Sequence, residues 1–395
     1  MKEEWKKVKL GEISADIQTG PFGSQLHMSD YSEKGIPVVM PKDMINGKIT
    51  EENIARVTDN HVKRLNRYII SSGNILYARR GDVGKCVYVS EKESGWLCGT
   101  GCLRININTA IANPKFVFFQ LQKTETIGWV EKNAVGATML NLNTSILANV
   151  PLHLPPLPTQ QKIASILSAY DDLIENNRRQ IKLLEEAALK LYKEWFVKLN
   201  FPGHETTKIV DGIPEGWKKV KLIDLVDVQY GYAFDGSLFN YKNEGTPIIR
   251  IRNIPDGTTN DSTTEKASED YIVHNGDIVV GMDGEFHINT WNQGDAYLVQ
   301  RSCSFRPHNE LLKGYLFQAI YAPIKFFENT VVGATVAHLG KKHIDTIEVF
   351  DCPKNLYVPF NNFLKKRQTL LNQNNELRIA RDKLLPKLMN GEIEV

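Results

Sequence analysis

Long apolar runs are missing from this chain. Nowhere in its 395 residues does a stretch approach the roughly 20 uninterrupted apolar residues of a membrane span, and the charged start from Met1 to Leu10 has no apolar segment behind it. No membrane span and no secretory leader are therefore expected, and the expected location is the cytoplasm. Cysteine is scarce as well. Cys86, Cys98, Cys102, Cys303 and Cys352 are odd in number and irregular in spacing, which speaks against a disulfide framework. Cys98 and Cys102 could offer two metal ligands, but no histidine or second cysteine pair stands at a matching distance, so they read as strand residues and no metal is expected. Net charge is only +2, which by itself argues against a nucleic-acid partner. Catalytic motifs are absent too. There is no Gly-x-x-x-x-Gly-Lys-Ser/Thr phosphate loop, no Gly-x-Gly-x-x-Gly and no Asn/Asp-Pro-Pro-Tyr/Phe run, and Gly99-Thr-Gly101 is too short for a cofactor loop. No Asp…Glu-x-Lys nuclease set or Ser/His/Asp constellation stands out.

What the chain does have is a copy of itself. Trp5-Lys-Lys-Val-Lys-Leu10 returns as Trp217-Lys-Lys-Val-Lys-Leu222, 212 residues later. Ile17-Gln-Thr-Gly20 is echoed by Val228-Gln-Tyr-Gly231, Gly35-Ile-Pro by Gly245-Thr-Pro, and Ser72-Gly-Asn-Ile-Leu by Asn275-Gly-Asp-Ile-Val. Val135-Gly-Ala-Thr138 returns as Val332-Gly-Ala-Thr335, by which point the offset has drifted to 197, so the second copy carries net deletions. In each copy, about 150 residues of short β-branched and aromatic runs, punctuated by Gly, Pro, Asn and Asp, predict a β-rich domain. Helical patches interrupt it at Lys115 to Thr124 and Leu311 to Tyr321.

A long helix then closes each copy. From Gln160 to Lys198 there is no Gly or Pro, with Thr159 as N-cap, and positions Ile163, Leu167, Tyr170, Ile174, Asn177, Ile181, Leu184, Ala188, Leu191 and Trp195 alternate by four and three. That is a coiled-coil seam about 58 Å long at 1.5 Å per residue. After Pro359 the second helix carries Phe360, Phe363, Arg367, Leu370, Asn374, Leu377, Arg381, Leu384 and Leu388 in the same rhythm. Asn177 and Asn374 stand 197 apart, like the Gly-Ala-Thr pair, and a buried seam asparagine fixes register. The fold class expected is α+β: domains at 1–157 and 201–356, helices at 158–200 and 357–395, the helices antiparallel and the halves related by a pseudo-twofold axis with one domain at each end. Split this way the charge is uneven. Residues 1–156 hold 19 basic against 15 acidic side chains, 201–356 hold 15 against 21, and 357–390 hold 7 against 2.

Two similar domains on a stiff spacer suit the reading of two separated half-sites on DNA. The chain resembles, over essentially its whole length, the specificity subunits of Type I restriction-modification systems. The resemblance rests on the repeated Trp-x-x-Val-x-Leu, on Gln18-Thr-Gly-Pro-Phe-Gly-Ser24, on Ser72-Gly-Asn-Ile-Leu-Tyr-Ala-Arg-Arg-Gly81, and on the junction Leu154-Pro-Pro-Leu-Pro-Thr-Gln-Gln161 before the helix. The second copy departs from it, with Tyr230-Gly-Tyr-Ala-Phe, Met282-Asp-Gly and Asp351-Cys-Pro-Lys in the corresponding places. The resemblance implies a non-catalytic subunit whose two target-recognition domains read a bipartite, asymmetric site on double-stranded DNA. It also implies that the helices space them and dock two methyltransferase subunits, which translocating nuclease subunits join. S-adenosylmethionine, ATP and Mg²⁺ would belong to those partners. A self-contained enzyme and a two-headed protein-binding scaffold are the alternatives; the first has no room for its motifs, and the second leaves the motif order unexplained.

Base readout needs polar side chains on loops that reach a groove edge. The candidates in the first domain are Ser24, Gln25, Lys42, Asp43, Arg79, Arg80, Thr138 and Asn141, with turn or capping chemistry the alternative for Ser24, Thr138 and Asn141. In the second they are Arg250, Arg252, Asn253, Asp283 at the Arg80 equivalent, Arg301, Thr335 and His338. Arg250 and Arg252 are expected to alternate on a strand and share a polar face. With its acidic excess, the second domain is expected to take phosphate contacts locally or from partner subunits.

Overall fold

A computed structural model describes residues 5–136, 140–330 and 337–395. The chain divides into two compact units, Met1–Asp171 with Ala380–Val395, and Asp172–Ile379. Among the described residues no helix is long and apolar enough to cross a membrane.

In the first unit an antiparallel sheet runs in the order Ser14–Thr19, Cys102–Ile107, Ile75–Ala78, Cys86–Tyr88. A second sheet runs Leu97–Cys98, Ile36–Val39, Ala55–Val57, Tyr31–Ser32, its first pair parallel. The second unit repeats the plan. Val226–Tyr230, Ser302–Pro307, Ile278–Gly281 and Ile288–Thr290 form the antiparallel sheet, and Thr246–Ile249 pairs in parallel with Ala296–Leu298 in the other. The repeated Lys-Lys-Val-Lys segments are the closing strands. Lys6–Lys9 pairs antiparallel with Pro151–Leu154, and Lys218–Lys221 with Glu348–Asp351, so each tethers the start of its domain to the end.

The weaker echoes have a steric cause. A Cβ on Gly20 would lie 1.9 Å from the Gly99 carbonyl oxygen, and one on Gly231 would lie 2.1 Å from that of Val299, so only glycine lets the two backbones meet at this corner of either copy. Each core is built against the antiparallel sheet. In the first unit Tyr77, Leu103, Phe116 and Phe119 are buried together, and in the second Phe286, Phe305, Tyr315 and Phe360. All five cysteines are buried free thiols.

The helical patches are Pro114–Leu121 with Thr124–Asn133, and Lys313–Ala319 with Tyr321–Thr330. The first long helix starts earlier than the cap expected for it at Thr159. The first spans Leu157–Tyr192 and the second Val358–Met389, so Thr159 lies inside the helix and is not its cap. Pro158 and Pro359 fit the first turn because the N–H they lack has no helical partner there. Gln160 is buried and ties this start to the sheet domain. Its Oε1 accepts the Asn113 N–H at 2.9 Å, and its Nε2 donates to the Pro155 carbonyl at 2.8 Å.

Every seam position expected on either helix is buried or half-buried. Within the second unit the helices are antiparallel, as two cross-links show: Asn177 Nδ2 donates to Asn374 Oδ1 at 3.0 Å, and Arg367 Nε meets Glu185 Oε1 at 2.6 Å, one number rising as the other falls. Within the first, Arg381 Nη1 meets Asp171 Oδ1 at 2.6 Å. Asn374→Ala strands the buried Asn177 amide and should cost about 1–3 kcal/mol in denaturant unfolding, whereas N177L/N374L should recover most of that loss because no polar group is left unpaired.

Candidate nucleic-acid interface

The first candidate junction forms where strand Ile75–Ala78 ends. Arg79 N–H donates to the Gly101 carbonyl at 2.8 Å, Leu142 N–H to the Arg79 carbonyl at 2.8 Å, and Gly81 N–H to the Leu140 carbonyl at 3.2 Å, while Arg80 and Asn141 form a β-bridge. This holds Arg79, Arg80 and Asn141 side by side. The Arg79 guanidinium lies 5.6 Å from the centroid of the Phe22 ring, and Phe22 is 54% exposed. Burial first, and the like charge of Arg80 second, lower the Arg79 pKa from its ordinary value. Arg79 Nε and Asn141 Oδ1 are both buried with no partner among the described residues. A buried polar atom without a protein partner is one that a ligand or water can satisfy.

The neighbouring candidates divide by what their side chains already do. Ser24 is exposed at the tip of the Gly20 to Gly23 turn. Gln25 builds that turn, its Oε1 accepting from Phe22 N–H at 3.2 Å and from the Tyr68 hydroxyl at 2.8 Å. Asp43 is buried, its carboxylate accepting the Met40 N–H at 2.8 Å. Burial pushes its pKa up, against that hydrogen bond and Lys42. Asp43 thus shapes the 3₁₀ turn Pro41–Asp43, which carries Lys42 exposed beside it. Thr138 and Thr335 lie outside the described residues.

The second unit makes the same junction with other side chains. Met282 N–H donates to the Arg301 carbonyl at 2.8 Å, Leu339 N–H to the Met282 carbonyl at 2.7 Å, and Gly284 N–H to the Ala337 carbonyl at 3.0 Å, with Asp283 and His338 forming the β-bridge. By this pattern Asp283 stands where Arg80 does, His338 where Asn141 does, and Arg301 where Gly101 does. Asp283 accepts from both Arg301 Nη1 and His338 Nδ1. Burial raises its pKa, but these hydrogen bonds and the charges behind them outweigh that and hold the carboxyl below its ordinary value.

Arg250 and Arg252 are not on a strand, contrary to the alternation expected for them. Strand Thr246–Ile249 stops, and a 3₁₀ turn Ile251–Asn253 follows, because Asn253 Oδ1 accepts the Arg250 N–H at 2.9 Å and bends the chain as Asp43 does in the first copy. Arg250 lies over the Phe239 ring at 5.5 Å. Arg252 lies over Tyr241 at 5.9 Å, and its Nη2 reaches Asp261 Oδ1 at 2.7 Å and Oδ2 at 2.8 Å. Sequence reading missed Asp261 and the aromatic partners Phe22, Phe239 and Tyr241. Phe22 stood inside a quoted motif, but nothing local pairs Asp261 with an arginine nine residues away.

Among the described residues no group of His, Cys, Asp and Glu could hold a metal ion. Arginines laid over aromatic rings at strand ends, Arg79 and Arg250 half-buried and Arg252 exposed, suit contact with phosphates and base edges.

Comparison with known proteins agrees with that chemistry. The family described as the Type I restriction modification DNA specificity domain matches residues 2–186 and again 214–350. The Type I restriction enzyme MjaIX specificity subunit of Methanocaldococcus jannaschii is 25% identical, over 100% of this chain and 94% of its own. The HindI specificity subunit of Haemophilus influenzae is 23% identical over 99% of this chain and 100% of its own. The crystal structure of a Type-I restriction-modification system S subunit from M. genitalium shares the fold, with a TM-score of 0.60, 16% identity, and coverage of 98% of this chain and 96% of that one.

Proposed function

Since the chain belongs to the Type I restriction modification DNA specificity domain family, with two matched segments, we propose that it is the sequence-reading subunit of a Type I restriction-modification complex. Each β-rich domain reads one half of a bipartite, asymmetric target on double-stranded DNA. The two long helices set the spacing and dock methyltransferase subunits, to which translocating nuclease subunits add. The chain itself catalyses nothing; S-adenosylmethionine, ATP and Mg²⁺ are bound by the partners. Its place of action is the cytoplasm.

One observation carries this reading. The same strand-end junction is built twice, by the same backbone hydrogen bonds, yet it presents Arg79, Arg80 and Asn141 in one unit and Asp283, Arg301 and His338 in the other. A conserved frame with unlike polar side chains is what two readers of unlike half-sites require. Exposed Ser24 and Lys42 and half-buried Arg250 flank the junctions as further contacts, while Gln25, Asp43, Asn253 and Arg252 act through the turns and pairs they form. Asn177 and Asn374 hold the helix register.

Methylated bases should be mapped in DNA from cells that carry the chain with a methyltransferase subunit, and mapped again after one heptad is inserted between Gln160 and Lys198. The expected result is a split target whose two half-sequences survive the insertion, while the gap between them changes or methylation falls. Identical methylation in cells without the chain would overturn the proposal.

A further inference from the structure

At the second junction, three side chains from three separate segments converge on one carboxylate. Asp283 follows strand Ile278–Gly281, Arg301 precedes strand Ser302–Pro307, and His338 lies after the helix Tyr321–Thr330. Each carboxylate oxygen takes one donor: Oδ2 receives Arg301 Nη1, and Oδ1 receives His338 Nδ1. The acid is the enclosed member, its side chain 10% exposed, while the arginine side chain is 66% exposed and the histidine 58%. A contact that only joined the segments would enclose all its members; here the arginine and histidine heads both face outward around a hidden carboxylate.

Two further observations point the same way. Arg301 has a left-handed backbone, φ +68°, so an arginine is kept where the conformation is unfavourable for any side chain. The first copy has no acid at its equivalent position, only Arg80, so the carboxylate is not demanded by the frame that both copies share.

We propose that Asp283 is a positioning residue that orients Arg301 and His338 as one reading head for a purine edge, guanine by preference, in the half-site taken by the second domain. This rests on the reading of the chain as a DNA-specificity subunit. With Nη1 held by Asp283, the guanidinium plane is set and its remaining N–H groups point away from the carboxylate, the fork geometry that meets guanine O6 and N7. Nδ1 bonded to Asp283 likewise fixes the imidazole ring and leaves Nε2 for the ligand or a neighbouring phosphate. Asp283 touches no base in this scheme; its work is to keep two flexible heads from sampling other orientations.

The test uses the full chain with its methyltransferase partner and reads the methylated consensus of both half-sites. Asp283→Asn and Arg301→Ala are each expected to lower discrimination at one guanine position of the second half-site by about ten-fold or more, with the first half-site and the gap unchanged. Arg301→Lys should restore less than half of that discrimination, because an ammonium lacks the planar fork. If Asp283→Asn fails to accumulate as folded protein, the exposed Arg301→Ala decides alone. An unaltered second half-site in Arg301→Ala, or a loss spread equally over both half-sites, overturns the reading head. If methylation proves independent of the chain altogether, the specificity reading itself falls, and this inference with it.

Discussion

Arg367→Ala is expected to destabilise the unit that contains it by about 3 kcal/mol, read as a lower denaturant midpoint and a melting temperature lower by about 6–12 °C. The sequence places a charged residue at a seam position, and the structure shows how it is tolerated. The residue is 8% exposed, and each part of its head is used: Nε meets Glu185 at 2.6 Å, Nη1 donates to Thr290 Oγ1 at 2.8 Å, and Nη2 donates to Asn289 Oδ1 at 2.8 Å. The guanidinium also lies 5.5 Å from the Phe317 ring centroid. One residue therefore joins the two helices to each other and to the recognition sheet. Removing it leaves buried Thr290 and Asn289 short of a donor, which costs more than the lost attraction alone. Arg367→Met should lose less, since the apolar stem still fills the space. Equal stability of Arg367→Ala and the native chain would show that the cluster is held by other contacts.

Phe196→Ala should cost about 3–5 kcal/mol, the range for truncating a fully packed aromatic side chain. Phe196 is 5% exposed and lies 4.6 Å from Tyr315, 5.3 Å from Trp217, 5.4 Å from Tyr192 and 5.6 Å from Phe360, measured between ring centroids. It thus ties the end of the first long helix to the start of the second and to the repeated tryptophan. Phe196→Leu, which keeps most of the volume, should lose under about 1.5 kcal/mol. Thermal unfolding of the two variants separates packing from mere hydrophobicity.

The seam arithmetic named Trp195 at this end of the helix, and the structure buries Phe196 more deeply. Lys193–Val197 is a π-helical turn, and its extra residue advances the buried face by one position. Trp195 still meets Phe360 at 5.7 Å from the half-buried flank. Periodicity counted on an ideal helix could not register that bulge, because it arises where the helix leaves its partner and enters the aromatic core.

Most of the architecture was legible because it rests on local rules and on repetition. The four-three spacing marked both helices, the 197-residue offset paired Asn177 with Asn374 before any coordinate, and Gln-x-Gly recurred because two backbones meet there in both copies. The site was legible only in part. Arg79 and Arg80 stood out as charges at the end of an apolar run, and the repeat aligned Asp283 with Arg80. The strand expected to carry Arg250 and Arg252 failed, however, because a side-chain cap three residues on bends the chain, and hydropathy alternation is blind to such a bond.

By itself, then, the sequence determined the duplication, the β-rich domains, the helices with their register, and the family. The elements follow from periodicity and from glycine and proline positions, which act over a few residues at a time, whereas the duplication shows in recurring motifs and the family in the resemblance those motifs carry. The tertiary structure decided which polar residues remain available to a ligand. Asp43 and Asn253 are used up as turn caps and Arg252 is held by Asp261, while Asp283 gathers Arg301 and His338 from segments up to 55 residues away. Hydrogen-bond partners are chosen by proximity in the folded chain, and outside the helix seam and the repeat, spacing along the sequence does not encode proximity between distant segments.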